Sequence, residues 1–185
     1  MSTRAVAASV TIAPALRRLY FVRFGFAVVW AGLLFTTASR LGPISVTLLV
    51  LYPLFDVVAA FIDIRSSQAT KSALGLYVNI VISGLAAIGL AVAATSGIPA
   101  VLRAWGAWAI ASGLTQLIVG LSRRALGGQW PVIISGAIST VAGTTFILQA
   151  AQPNASLTTL AGYATLGGVF FLVSAIRLGH PAKTL

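Results

Sequence analysis

The segment Ile44-Ser-Val-Thr-Leu-Leu-Val-Leu-Tyr-Pro-Leu-Phe-Asp56-Val-Val-Ala-Ala-Phe-Ile62 decides the fold. It is apolar apart from two hydroxyls, a tyrosine and one carboxylate, and its length is close to the roughly 20 residues a helix needs to cross a bilayer. Asp56 lies well inside it. An ionised carboxylate at that depth costs on the order of 3 kcal/mol or more unless it has a partner or reaches water, so it marks a candidate functional site. Asp56 and Asp63 are the only two acids in the chain.

Five more segments of the same kind surround this one. Together they run approximately over Leu19–Ala38, Ile44–Ile62, Ala73–Ala94, Ala100–Leu121, Pro131–Ala150 and Leu157–Ile176. Hydrophobic residues make up 58% of the 185 positions and charged residues 8%, with a mean hydropathy of +1.00. These values define a polytopic membrane protein and exclude a soluble globular domain. The expected fold class is all-α, a membrane bundle of six transmembrane helices. Its predicted parts are an N-terminal lead (1–18), a transmembrane domain (19–177) and a short tail (178–185).

The formal charge of +10 does not read as a nucleic-acid surface. Such a surface needs its basic residues clustered on one solvated face, and here they sit between apolar runs. Their positions orient the chain instead, because short loops rich in Lys and Arg stay in the cytoplasm. Arg4, Arg17, Arg18, Arg65, Lys71, Arg123, Arg124, Arg177 and Lys183 fall on one side, with Arg40 and Arg103 on the other. Both termini are therefore predicted to be cytoplasmic, in a bacterial inner membrane. The lead superficially resembles a signal peptide, with Ala13-Pro14-Ala15 as a weak cleavage site. Cleavage there would leave Arg17 and Arg18 facing outward, so a short cytoplasmic or interfacial lead is preferred; its lack of acids also fits a transit peptide.

The chain carries an internal repeat. Tyr52 to Val57, Trp108 to Gly113 and Tyr163 to Gly168 align at a spacing of about 55 residues, each led by an aromatic. Glycine pairs recur in the odd-numbered helices, Gly25 with Gly32, Gly84 with Gly89 and Gly136 with Gly143. This pattern predicts three successive helical hairpins, about 19–62, 73–121 and 131–176, in parallel orientation. Small residues at intervals of four, Ser135/Ser139/Gly143 and Ser83/Ala87/Ala91, make smooth faces. They pack either within the monomer, the preferred reading, or in a homo-oligomer.

The stretch Trp105-Gly-Ala-Trp108-Ala-Ile-Ala-Ser-Gly113-Leu-Thr-Gln116-Leu-Ile-Val-Gly-Leu-Ser-Arg123-Arg124 resembles the signature of HdeD-like membrane proteins. In that family an aromatic-rich helix start leads to a Ser-Gly pair, then Gln-Leu-Ile and a basic cluster. Leu160 to Arg177 is a weaker copy, with Phe171 where Gln116 sits, and the first hairpin departs furthest, with Pro53 and Asp56 replacing Ala109 and Ser112. The resemblance implies a six-helix inner-membrane protein, with acid or stress resistance as the role of the family's namesake.

Depth supplies a partner for Asp56. At 1.5 Å per residue, Arg23 lies about 6 Å into the first helix and Asp56 about 9 Å from the corresponding end of the second, so a salt bridge is expected. Asn79 and Gln116 fall in the same leaflet. Asp63, seven residues beyond Asp56 on the same helix face, is placed to meet Arg17 or Arg18 at the surface. Arg23, Asp56, Asn79 and Gln116 either line a hydrated cavity or act as hydrogen-bonding glue between helices. Pro53 is expected to free a carbonyl one turn earlier.

Catalysis is a poor fit, since acid–base chemistry needs two positioned titratable groups and only one acid is buried. No cysteine is present, and His180 has no second ligand nearby, so neither a metal nor a cofactor is expected. The sequence therefore predicts a non-enzymatic, HdeD-like protein whose partner is the lipid bilayer. The alternative is a small channel or transporter for protons, cations or a small solute, built on the Arg23/Asp56 layer.

Overall fold

The computed structural model describes residues 3–67, 73–122, 124 and 130–178. Six α-helices follow one another: α1 (Thr3–Thr37), α2 (Pro43–Ser67), α3 (Ala73–Ala94), α4 (Ile98–Ser122), α5 (Trp130–Gln149) and α6 (Thr158–Leu178). Each is long and apolar enough to cross a membrane, and the chain is a multi-pass membrane protein. There is no strand among the described residues.

The lead is helical from Thr3 onward. It continues α1 back to Thr3, so the helix has 35 residues while its apolar span begins only at Arg17. At 1.5 Å per residue that is about 52 Å of helix against a hydrocarbon core of roughly 30 Å, and α1 must project beyond the apolar layer.

Short connections are closed by local chemistry. Pro43 opens α2, where its missing N–H costs nothing. Ser45 reaches back from the first turn, accepting from the Gly42 amide at 2.8 Å and donating to the Arg40 and Gly42 carbonyls. Gly97 joins α3 to α4 with φ of 97°, a left-handed conformation that disfavours any side chain. Within the helices, hydroxyls such as those of Thr47, Thr115, Thr140 and Thr165 donate to the carbonyl four residues earlier, so they need no water.

The helices form a closed ring in which each packs on its sequence neighbours and α6 returns to α1. The dense contacts are α4 with α5, α1 with α6, and α2 with α3, whereas α1–α2 and α3–α4 are looser and α5 meets α6 chiefly through side chains, as where Phe146 packs on Tyr163. The hairpins expected at 19–62, 73–121 and 131–176 are thus not the tightly packed units; dense packing joins one expected hairpin to the next.

Glycine explains the tightest of these contacts. On α4, Gly106 and Gly113 face Gly143 and Gly136 of α5 so closely that a Cβ on Gly143 would sit 2.5 Å from the Gly106 carbonyl oxygen. A Cβ on Gly113 would sit 2.7 Å from the Gly136 carbonyl oxygen. The seven-residue spacing on both helices keeps the two backbones in contact over two turns, as small residues do wherever helices associate in lipid. Gly168 plays the corresponding part between α6 and α1, where a Cβ would meet the Ala27 Cβ at 3.1 Å. Gly113 and Gly168 share a column of the sequence repeat. Of the small-residue faces, Ser83, Ala87 and Ser139 are buried inside the monomer, while Ala91 is exposed.

An aromatic cluster fills the centre. Trp30 stacks on Trp105 with centroids 5.3 Å apart, and Tyr52 touches Trp30, Trp105 and Trp108. The Trp30 indole donates to the Leu48 carbonyl at 2.6 Å, next to the Leu49 carbonyl that Pro53 frees. Tyr52 and Tyr163 are therefore interior rather than interfacial residues, the latter donating to Ser139 at 2.8 Å. Trp130 is 71% exposed, as an interfacial anchor should be.

Candidate functional site

Asp56 is the hub of a polar network beside the aromatic cluster. Its Oδ2 accepts from Asn79 Nδ2 at 2.6 Å and from Ser83 Oγ at 2.9 Å. Both donors lie on α3, four residues apart and so on one helix face. Ser83 in turn accepts from the Trp108 indole of α4 at 3.1 Å. From α1, Arg23 Nη1 stands 3.5 Å from Asp56 Oδ1. One carboxylate thereby connects four consecutive helices.

The expected salt bridge is present, though longer than the 2.7–2.9 Å of a strong charge-assisted hydrogen bond. The side chains of Arg23 and Asp56 are only 12% and 22% exposed, so the two opposite charges neutralise each other in a largely enclosed place. The guanidinium also lies 4.9 Å over the ring of Phe171 on α6, a cation–π contact that brings in a fifth helix. A small cleft of about 20 Å³ opens here, lined by Arg23, Phe26, Tyr52, Phe55, Asp56 and Phe171. Phe26 and Phe55 stack on each other along its wall.

Gln116 does not join the group. It is half-buried on α4, and no hydrogen bond joins it to Arg23, Asp56 or Asn79. The residue α4 contributes is Trp108, eight positions and about 12 Å earlier along the helix. Of the residues expected at the membrane surface, Arg17 lies 5.4 Å over the Phe21 ring and Arg18 is exposed. The basic residues Lys71, Arg123 and Lys183, like His180, fall outside the described residues.

Three participants escaped the sequence reading. Ser83 stands one turn after Asn79 and was readable as its companion, but its place in a small-residue stripe gave it a packing role. Trp108 marked the repeat, and nothing in its spacing announced an indole turned toward a neighbouring serine. Phe171 occupies the repeat position of Gln116, and only the ring closure between α6 and α1 takes it to Arg23. Ser112, the counterpart of Asp56 in the second hairpin, has a buried hydroxyl that makes no hydrogen bond. The charged pair, Arg23 with Asp56, lies within the first expected hairpin, while its hydrogen-bonding partners come from the others.

No group of three or more metal-ligating side chains occurs among the described residues. The arrangement supplies one carboxylate, one guanidinium, an amide, a hydroxyl and an indole, which suits hydrogen bonding between helices. Ser83→Ala removes a donor to Asp56 and the acceptor of Trp108 together. It should lower stability by about 1 kcal/mol, read as a fall in the unfolding temperature of the detergent-solubilised protein.

The fold and site define a six-helix integral membrane protein with an internal charge-centred polar layer. The chain matches no family model, no curated protein and no solved structure.

Proposed function

We propose that this is a non-enzymatic membrane protein of the HdeD-like kind, placed in a bacterial inner membrane with both termini cytoplasmic, in which the Asp56 network braces the bundle. The observation that carries the reading is the sharing of Asp56 among helices: its carboxylate is held from α1 by Arg23 and from α3 by Asn79 and Ser83. A carboxylate so occupied ties helices together, and in lipid such polar contacts contribute about 0.6 kcal/mol each and sometimes more. A role in acid or stress resistance rests on the resemblance of Trp105 to Arg124 to that family.

A second reading, a small channel or transporter, has one observation in its favour: the cleft that opens onto both Arg23 and Asp56. Against it stands the aromatic packing of Trp30, Tyr52, Trp105 and Trp108, which fills the bundle beside that cleft. Reconstituted liposomes separate the two readings. For a brace, proton or cation flux through wild-type protein stays at the level of empty liposomes and does not change in Asp56→Asn. Flux that is present in wild type and lost in a folded Asp56→Asn protein would establish transport.

A further inference from the structure

We propose that Arg17 and Arg65 bind the phosphate groups of anionic phospholipids, each guanidinium presenting its N–H edge to a headgroup of the leaflet at that end of the bundle. This goes beyond the brace, because it concerns the outer surface rather than the interior, and it holds whichever way the chain faces in the membrane.

The two arginines are built alike. Arg17 lies 5.4 Å over the Phe21 ring on α1, and Arg65 lies 4.4 Å over the Phe61 ring on α2. Both rings face outward, 38% and 45% exposed, and each stands one turn further into the apolar span than its arginine. The spans begin at Arg17 and end at Arg65, so these residues mark where the apolar layer stops and the headgroups start. Counted from the Arg23–Asp56 pair, Arg17 is about 9 Å along α1 and Arg65 about 14 Å along α2, at the same end of the bundle.

Stacking and charge then select the partner. A guanidinium serving a soluble acidic partner would extend away from the bilayer, whereas these two fold back over rings inside the span. The ring covers one face of the guanidinium and leaves its planar fork of N–H donors open, the geometry that takes two phosphate oxygens at once. Among the described residues, no hydrogen bond or ion pair engages either of them. Protein acids are too few to neutralise this end: Asp56 is held by Arg23, which leaves Asp63 against Arg17, Arg18, Arg65 and Arg177. A zwitterionic headgroup brings its own cation, so a phospholipid of net negative charge is the better counter-ion.

Arg40 and Arg103, exposed near the opposite end of the bundle, supply the control for charge alone. The full chain, purified in a neutral detergent, is titrated with phosphatidylglycerol or with phosphatidylcholine of the same acyl chains, and native mass spectrometry reads the dissociation constants of the first and second bound lipid. Phosphatidylglycerol should bind roughly five-fold more tightly than phosphatidylcholine at each step. Arg17→Gln with Arg65→Gln should bring that ratio close to one, and Phe21→Leu with Phe61→Leu should lower it while leaving every charge in place. Arg40→Gln with Arg103→Gln should leave it unchanged. Equal affinity of the wild type for the two lipids would overturn the proposal without reference to any variant. So would a loss in the Arg40/Arg103 protein as large as in the Arg17/Arg65 protein, since net charge alone would then govern binding. Because headgroup choice is read rather than stability, failure here is distinct from failure of the brace.

Discussion

Gly143→Ala is expected to destabilise the bundle by about 2 kcal/mol, within the range for overpacking a well-packed interface. The added Cβ would fall 2.5 Å from the Gly106 carbonyl oxygen and 2.9 Å from the Ile110 amide nitrogen. Both belong to the backbone of α4, so neither can rotate away, and α4 and α5 must separate. Helix propensity works in the opposite direction, since alanine is favoured over glycine by roughly 1 kcal/mol in a helix interior. Gly25 provides the control. It is also a helical glycine of the repeat pattern, but its Cβ would meet nothing within 4 Å. Gly25→Ala should therefore be neutral or slightly stabilising. Thermal unfolding followed by tryptophan fluorescence in detergent reads both, and a loss of equal size in the two variants would show that the α4–α5 seam is not the tight contact.

Asp56→Asn should cost about 3 kcal/mol, the lower end of what breaking a buried ion pair by removing one partner costs. The lower end applies because Arg23 and Asp56 retain some exposure and the amide can still accept from Asn79 and Ser83. What remains is an arginine in the apolar layer with no counter-charge. Neutralising it as well, in Arg23→Gln with Asp56→Asn, should restore part of the loss, because a neutral pair leaves no charge to desolvate. The comparison is made on unfolding temperatures in one detergent at one salt concentration.

The six helices were readable because length, apolarity and Gly/Pro punctuation act locally, and Pro43, Gly97 and the loops between spans mark their boundaries in the sequence. The Arg23–Asp56 pair was readable for a related reason: two charges at equal depth on consecutive antiparallel helices have few other places to go. Which helices pack densely was not readable. The glycine pairs were visible, but Gly25/Gly32 and Gly136/Gly143 have the same spacing, and only the three-dimensional arrangement places the second pair in a seam and leaves the first open. Depth also misjudged Gln116, because equal height does not fix the direction a side chain takes around its helix. Pro14, noted in the sequence only as part of a weak cleavage site, lies within α1.

A double-mutant cycle on Arg23→Gln and Asp56→Asn measures the brace most directly, by stability of the purified protein. The coupling between the two positions is expected to be favourable by about 1–3 kcal/mol, as for residues sharing one network. A coupling near zero, with Asp56→Asn unfolding at the wild-type temperature, would contradict it.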